Sequence, residues 1–304
     1  MSETNDMTAR LDLADRLLNQ RKYTEAIAGL EEIHGIHPED ESVLLRLAWA
    51  FWDSGDKERS VRYWEILLDC ELQRKVFTGF AYDELVRIYR QEGAIGKLVR
   101  LCEKAVGVQP QDIGLLEELG KAYLLAGDNE KACDVFAQLT AMEADNPAYY
   151  CRLGEALLAA QRIEAGEEAY RQAGLIDPEE TDRYLFQAAG ICLRGGRLKT
   201  AKRLIAECLT LAPQNSLYYC FLGDLLVALK EPDNAFAEYE KACRYNRPFA
   251  AAYCNRLGNC LMKAQLFSDA AKAFETALAF DESAPCRHHL EAAYLASGQT
   301  PSRG

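Results

Sequence analysis

Four histidines, eleven cysteines and many carboxylates are the residues of this 304-residue chain with the chemistry to hold a metal or to exchange protons. His34 and His37 form an H-x-x-H pair, which with a remote carboxylate would make a metal site on one helix face. The pair abuts Pro38, where a helix ends, and this position suits surface or capping roles instead. No C-x-x-C occurs, and the nearest cysteine pair, Cys254 and Cys260, does not match a zinc spacing. Cys102, Cys192 and Cys208 stand where Phe, Tyr, Leu or Ala stand elsewhere, as expected of reduced thiols acting as small buried apolar groups. Gly195-Gly196 sits in an interhelical turn rather than in a phosphate-cradling loop. The Asp and Glu residues are spaced like solvated helix faces, with no pair set apart as acid and base. No catalytic residue, metal ligand or cofactor is implied, and the chain reads as a protein without chemistry of its own.

Residues suited to contact are more distinctive. Leu45, Trp49 and Trp52 recur at i, i+4 and i+7 and so share one helix face. Leu47 and Phe51 occupy the opposite face, which makes that helix apolar on both sides. Arg87 and Arg90 follow on the next helix of the same kind, with Phe80 and Asp83 ahead of them. Indoles beside guanidiniums dominate the energetics of protein interfaces. A second cluster joins Phe186 and Leu193 across Gly190, flanked by Arg183 and Arg194 and followed by Leu217 and Val227. Its apolar floor and basic edges suit an amphipathic or acidic peptide.

These residues are positioned by an internal repeat. With Met7 as position 1, position 8 reads Ala14, Ala48, Val86, Gly120, Gly154, Ala189, Gly223 and Gly258. Position 20 reads Ala26, Ser60, Leu98, Ala132, Gly166, Ala201, Ala235 and Ala270. Position 24 is mostly large: Leu30, Trp64, Cys102, Phe136, Tyr170, Ile205, Tyr239 and Phe274. Small residues at 8 and 20 let two helices approach, and the residue at 24 fills the gap between them. Pro38, Pro110, Pro178 and Pro213 mark the boundary between copies. Gly55, Gly93, Gly127 and Gly196 mark the turn inside a copy, Pro232 stands there in the seventh, and the first uses Gln20-Arg21. The second copy carries about four extra residues near 75–78, about one helical turn, and single extra residues occur near Thr181 and Ala250.

The step of 34 residues and the order Leu119-Gly120, Tyr123, Gly127, Ala132, Phe136 resemble the tetratricopeptide repeat. The resemblance implies an all-α fold, a right-handed superhelical solenoid of about eight helix-turn-helix repeats with a C-terminal capping helix. The expected organisation is a polar N-terminal tail over 1–6 and a solenoid over 7–283. Its repeats run at about 7–40, 41–78, 79–112, 113–146, 147–181, 182–215, 216–250 and 251–283. A capping helix over 284–298 carries Leu290, Tyr294 and Leu295, and a flexible tail occupies 299–304.

In the family the first helix of each repeat lines a concave groove through positions 2, 5, 9, 12 and 13. That places Leu45, Trp49, Trp52, Phe80, Arg87, Arg90, Arg183, Phe186, Leu193 and Arg194 as candidate partner-binding residues. Two roles are open to Trp49 and Trp52, a partner-binding patch or packing against neighbouring helices, and the same choice holds for the Phe186 trough. The family's carboxylate clamp for chaperone C-termini needs Lys and Asn at positions 5 and 9. None of the eight 5/9 pairs here has that identity, and Asn255 and Asn259 alone echo the asparagine ladder of other relatives.

The net charge of −12 divides equally about Asp112. Such a field opposes nucleic acid and anionic membranes, both of which are bound chiefly through Lys and Arg. No apolar run approaches the roughly 20 residues needed to cross a bilayer, and the opening MSETNDMTARLDLADR is no secretory signal. The expectation is a cytoplasmic, non-catalytic adaptor that binds a protein or peptide, with no nucleic acid and no membrane insertion. A self-assembling scaffold, with a homo-oligomer as its form, and a regulatory subunit of an enzyme are the alternatives.

Overall fold

The computed structural model describes residues 2–74 and 79–298, which form seventeen α-helices and no strand. The chain divides into two compact units, Met1–Val135 and Phe136–Gly304. The first holds α1 (Ser2–Asn19), α2 (Tyr23–Ile36), α3 (Glu41–Ser54), α4 (Lys57–Gln73), α5 (Phe80–Gln91), α6 (Ile95–Val108) and α7 (Ile113–Ala126). The division falls inside α8 (Asn129–Met142). The second unit continues with α9 (Pro147–Ala159), α10 (Ile163–Ile176), α11 (Thr181–Arg194), α12 (Leu198–Leu211), α13 (Ser216–Ala228), α14 (Pro232–Tyr245), α15 (Ala250–Lys263), α16 (Phe267–Phe280) and α17 (Arg287–Ser297).

Consecutive helices pair because the repeat positions are the buried ones. Every residue at positions 8, 20 and 24 is buried in all eight copies. Trp64, Tyr170, Tyr239, Phe136 and Phe274 rank among the largest fully buried side chains. Close approach has a direct measure. A Cβ added at Gly154 would lie 2.6 Å from the ring of Tyr170, one at Gly223 2.5 Å from Tyr239, and one at Gly258 2.4 Å from Phe274. Positions 8 and 24 therefore touch within a copy. Ser60, a polar residue at position 20, is wholly buried and donates its hydroxyl to the carbonyl of Ala48 at 2.7 Å.

The turn between paired helices is the same in every copy. Position 15 has positive φ in all eight: Gly55, Gly93, Gly127 and Gly196, and also Arg21, Gln161, Lys230 and Gln265. The next residue's N–H reaches back five residues to the carbonyl at position 11, as in Lys22 to Leu17, Asp128 to Tyr123 and Glu231 to Leu226, each at 2.9 Å. This is a Schellman closure, which satisfies the carbonyls that a helix end leaves without partners. Side-chain caps by Asp40, Asp112, Asn146 and Asn215 open α3, α7, α9 and α13.

Irregularities of spacing have local solutions. The single residues added near Thr181 and Ala250 become short 3-10 turns, Pro178–Glu180 and Arg247–Phe249, ahead of α11 and α15. α4 has 17 residues where α2 and α6 have 14. Residues 75–78, where the extra turn was expected, and the tail at 299–304 lie outside the described residues.

Two expectations change at the ends. Residues 2–6, read as a polar tail, belong to α1, which starts at Ser2. Ser, Thr, Asn and Asp are poor in helix interiors but suit a helix N-terminus, and adding residues to an existing helix avoids the cost of nucleation. In α17, Ala293 and Tyr294 are buried and Leu290 packs against the core of the last repeat, but Leu295 is 85 % exposed and covers nothing.

Ion pairs tie residues about one repeat apart. Arg46 grips Asp15 through Nε and Nη2 at 2.8 and 2.9 Å. Arg74 reaches Glu39 at 3.4 Å, Arg203 reaches Glu167 at 2.5 Å, and Arg256 reaches Asp224 at 2.5 Å. The links join each copy to the next one only.

Candidate functional site

The first candidate patch lies wholly in the first unit, on α3 and α5. Leu47, Ala48 and Phe51 of α3 are buried, while Leu45, Trp49 and Trp52 are half-buried. The helix is therefore apolar on both sides. Phe51 stacks on Tyr63 with ring centroids 5.4 Å apart, on the core side.

Trp49 and Trp52 have different surroundings. Trp49 meets the buried Trp64 edge-on at 5.4 Å and lies 6.5 Å from Phe80, which in turn lies 5.7 Å from Trp64. Trp49 thus extends the core outward, and Phe80, 47 % exposed, is the outer member of the three rings. Trp52 has two cations as neighbours. The Arg87 guanidinium lies 4.9 Å from its ring centre and the Lys57 ammonium 5.4 Å. A cation over an indole is worth about 0.5–1 kcal/mol at an exposed site, and two of them fix the ring's orientation.

The guanidiniums are not free to hold a carboxylate unassisted. Arg87 donates to Glu84 at 2.6 Å and, through Nη1, to Gln91 at 3.4 Å. Arg90 donates to Glu118 of α7 at 2.5 Å, and Lys121 joins Glu117 and Glu118. Burial, with Glu118 and Glu84 nearby, raises the Asp83 carboxyl above its ordinary value. The patch is aromatic at its centre and charge-balanced at its rim.

The second candidate patch lies in the second unit. Phe186 of α11 packs against α13, 4.9 Å from Tyr218 and 5.0 Å from Phe221. Leu193 is half-buried against the same core. Arg183 is exposed and paired with Glu180 at 2.7 Å, and Arg194 is exposed on the same helix. Leu217 is 51 % exposed, whereas Val227, expected beside it, is 2 % exposed and belongs to the core.

Sequence reasoning did not find Lys57 beside Trp52 or Glu118 beside Arg90. Both lie on helices other than those of the residues they serve. His34 packs edge-on to Tyr63 at 5.4 Å, and His37 ends α2. Among the described residues no three His, Cys, Asp or Glu side chains gather to hold a metal. Nor is any described helix long and apolar enough to cross a membrane. Asn259 donates to Asn255 at 3.4 Å, within one turn of α15.

Helix pairs with a shared register, closed by one repeated turn, define a helical-repeat protein. The sequence profile described as "Tetratricopeptide repeat" matches residues 11–65, 117–180 and 222–285, more than half of the chain, and the chain belongs to that family. The solved structure of a tetratricopeptide repeat protein from Parabacteroides merdae is similar, with a TM-score of 0.52 at 17 % identity, over 85 % of this chain and 99 % of that one. Among curated proteins, the "BBSome complex member BBS4 homolog" of Drosophila melanogaster is 24 % identical over 199 residues, 65 % of this chain and 40 % of that protein. The "Cellulose synthase 2 operon protein C" of Komagataeibacter xylinus is 29 % identical over 153 residues, 49 % of this chain and 11 % of that protein. The chain spans less than half the length of the curated relatives it matches. Repeats of this family mediate protein–protein interaction, and proteins of this fold are generally non-catalytic scaffolds.

Proposed function

We propose that the protein is a non-catalytic adaptor that binds a peptide segment or a protein surface along the first helices of its repeats, with α3 and α5 as the principal contact. The observation that carries this reading is the contrast between the two indoles. Trp49 is anchored on Trp64, and Trp52 is held open by Arg87 and Lys57. A large aromatic surface whose rotamers are already fixed loses little entropy on binding, which is the property of an interface hot spot. Phe80 adds exposed apolar area beside it.

Membership of an assembly is consistent with the relative named as a complex member. The α11 patch is an auxiliary contact on this reading. Its exposed Arg183 and Arg194 supply basic edges, while Phe186 is largely committed to α13. The protein acts in the cytoplasm and brings partners together without reaction chemistry of its own.

The test is crosslinking in the native cell lysate followed by mass spectrometry, with wild type and Trp52→Ala compared. Crosslinks from Lys57, Lys97 or Lys121 that vanish in the variant support the reading. Crosslinks that persist unchanged overturn it. Light scattering after size exclusion separates a partner from a second copy: a concentration-dependent mass identifies self-assembly.

A further inference from the structure

α14 and α15 bring together two thiols that lie eleven residues apart. Cys243 is in the last turn of α14 and Cys254 in the second turn of α15, with their Sγ atoms 3.9 Å apart. Both are buried, with Cys243 7 % and Cys254 6 % exposed. Both line a cavity of about 450 Å³, with Phe236, Leu257, Ala273 and Phe280 among its walls. Asp233 and Glu240, both exposed, complete its rim; Glu240 accepts from Arg244 at 2.6 Å, and the Arg247 guanidinium lies 5.6 Å from the ring centre of Phe280.

The two sulfurs are not equivalent. The two thiols share a hydrogen bond in which either sulfur could donate, and the Cys243 thiol also donates to the Ala250 carbonyl at 3.8 Å; the shared bond lowers the Cys243 thiol below its ordinary value. Cys254 is raised by that same hydrogen bond and by burial. A thiolate formed on Cys243 is stabilised by a proton retained on Cys254.

Soft-metal binding is disfavoured by charge. Two thiolates on a monovalent cation leave a net negative charge in an apolar cavity. A disulfide is neutral. The apolar walls favour an uncharged oxidant, since a charged one loses its hydration on entering.

We propose that Cys243 and Cys254 form an oxidisable dithiol that takes an uncharged hydroperoxide through this cavity and closes to a disulfide between α14 and α15. The Cys243 thiolate attacks the terminal oxygen of ROOH and the O–O bond breaks. RO⁻ leaves and takes a proton to become ROH, and Cys243 becomes a sulfenic acid. The Cys254 sulfur then attacks the Cys243 sulfur, the S–O bond breaks, and the hydroxide leaves with the Cys254 proton as water. Two thiols and ROOH give one disulfide, ROH and H2O, and the two electrons come from the thiols. An S–S bond of about 2.05 Å needs each sulfur to move about 1 Å, within reach of side-chain rotation and a small helix shift. A small thiol reductant reverses the step.

The test uses the full reduced chain, treated with cumene hydroperoxide, alkylated with N-ethylmaleimide and mapped by mass spectrometry. The expected result is a Cys243–Cys254 crosslinked peptide, formed about tenfold faster than with oxidised glutathione, whose charged groups are costly to bring into apolar surroundings. Cys254→Ser halts at a dimedone-reactive sulfenic acid on Cys243. If Cys254→Ser does not retain its helical circular dichroism, Cys254→Ala replaces it, and the wild-type map decides in any case. The proposal is overturned if both thiols still alkylate fully after treatment while Cys151 or Cys260 is oxidised. Equal rates with the two oxidants also overturn it.

Discussion

Gly154 and Tyr170 sit so close that a Cβ on the glycine would meet the tyrosine ring at 2.6 Å and the Gly166 carbonyl at 3.0 Å. Gly154→Leu should destabilise the protein by about 1–3 kcal/mol through overpacking. The chain already contains the compatible pairs, Ala14 with Leu30 and Ala189 with Ile205, all buried. Gly154→Ala combined with Tyr170→Leu should therefore lose less than the two single changes summed. Urea unfolding of the four proteins in the cycle measures the coupling, expected at about 0.5–3 kcal/mol. Strict additivity would contradict the contact.

Arg21, Gln161, Lys230 and Gln265 carry φ between 59° and 65° at the turn where the other four copies have glycine. A left-handed conformation costs a non-glycine residue about 1–2 kcal/mol, and glycine's extra unfolded-state entropy returns roughly 0.5–1 kcal/mol of that. Each change to glycine should stabilise by about 0.5–1 kcal/mol. Gly127→Ala should do the reverse. Thermal melts of Gln161→Gly and Gly127→Ala give the comparison.

Trp49 and Trp52 should separate in their effects. Trp49→Ala removes a contact with buried Trp64 and should lower the melting temperature. Trp52→Ala removes a ring held chiefly by Arg87 and Lys57, so helical content and melting temperature should stay close to wild type while partner capture is lost. Equal loss of stability in both would assign Trp52 to packing. Capture by Trp52→Ala at the wild-type level would remove it from the interface.

Stability should fall on the alkaline side. Burial pushes the Cys102 and Cys151 thiols up to about 11 and Cys208, Cys220 and Cys260 to about 12, from an ordinary 9.0. Burial and a bond to Asp177 raise Tyr184 to about 12 from 10.0. Between the ordinary and raised values the folded chain retains protons that the unfolded chain has released. Their contribution is complete below pH 9 and is lost progressively as the pH rises toward 12. Melting temperatures measured from pH 7 to pH 11 should decline above 9. A flat profile would mean that these thiols reach water.

The repeat was legible because its three packing positions demand size, and size is written in the residue type. Gly223 opposite Tyr239 and Gly258 opposite Phe274 state their contact in one dimension. The left-handed turn was legible only where glycine occupies it. Gln161 and Lys230 adopt it because the Schellman bonds around them require it, and no local propensity announces that. Residues from other helices were equally hidden. Glu118 answers Arg90 from the following repeat, and Cys243 meets Cys254 across a turn between copies. The start of α1 was hidden because the repeat register begins at Met7 and the polar residues ahead of it carry no periodic signal.

The ion pairs that reach only the adjoining copy have a consequence for how such a chain changes length. Arg46 needs Asp15 and Arg256 needs Asp224, and neither depends on anything farther off. Damage at one junction therefore loosens that junction and its immediate neighbours first. A module gained or lost in frame leaves distant junctions chemically intact, so a lineage can tune the reach of the molecule without inventing a new architecture.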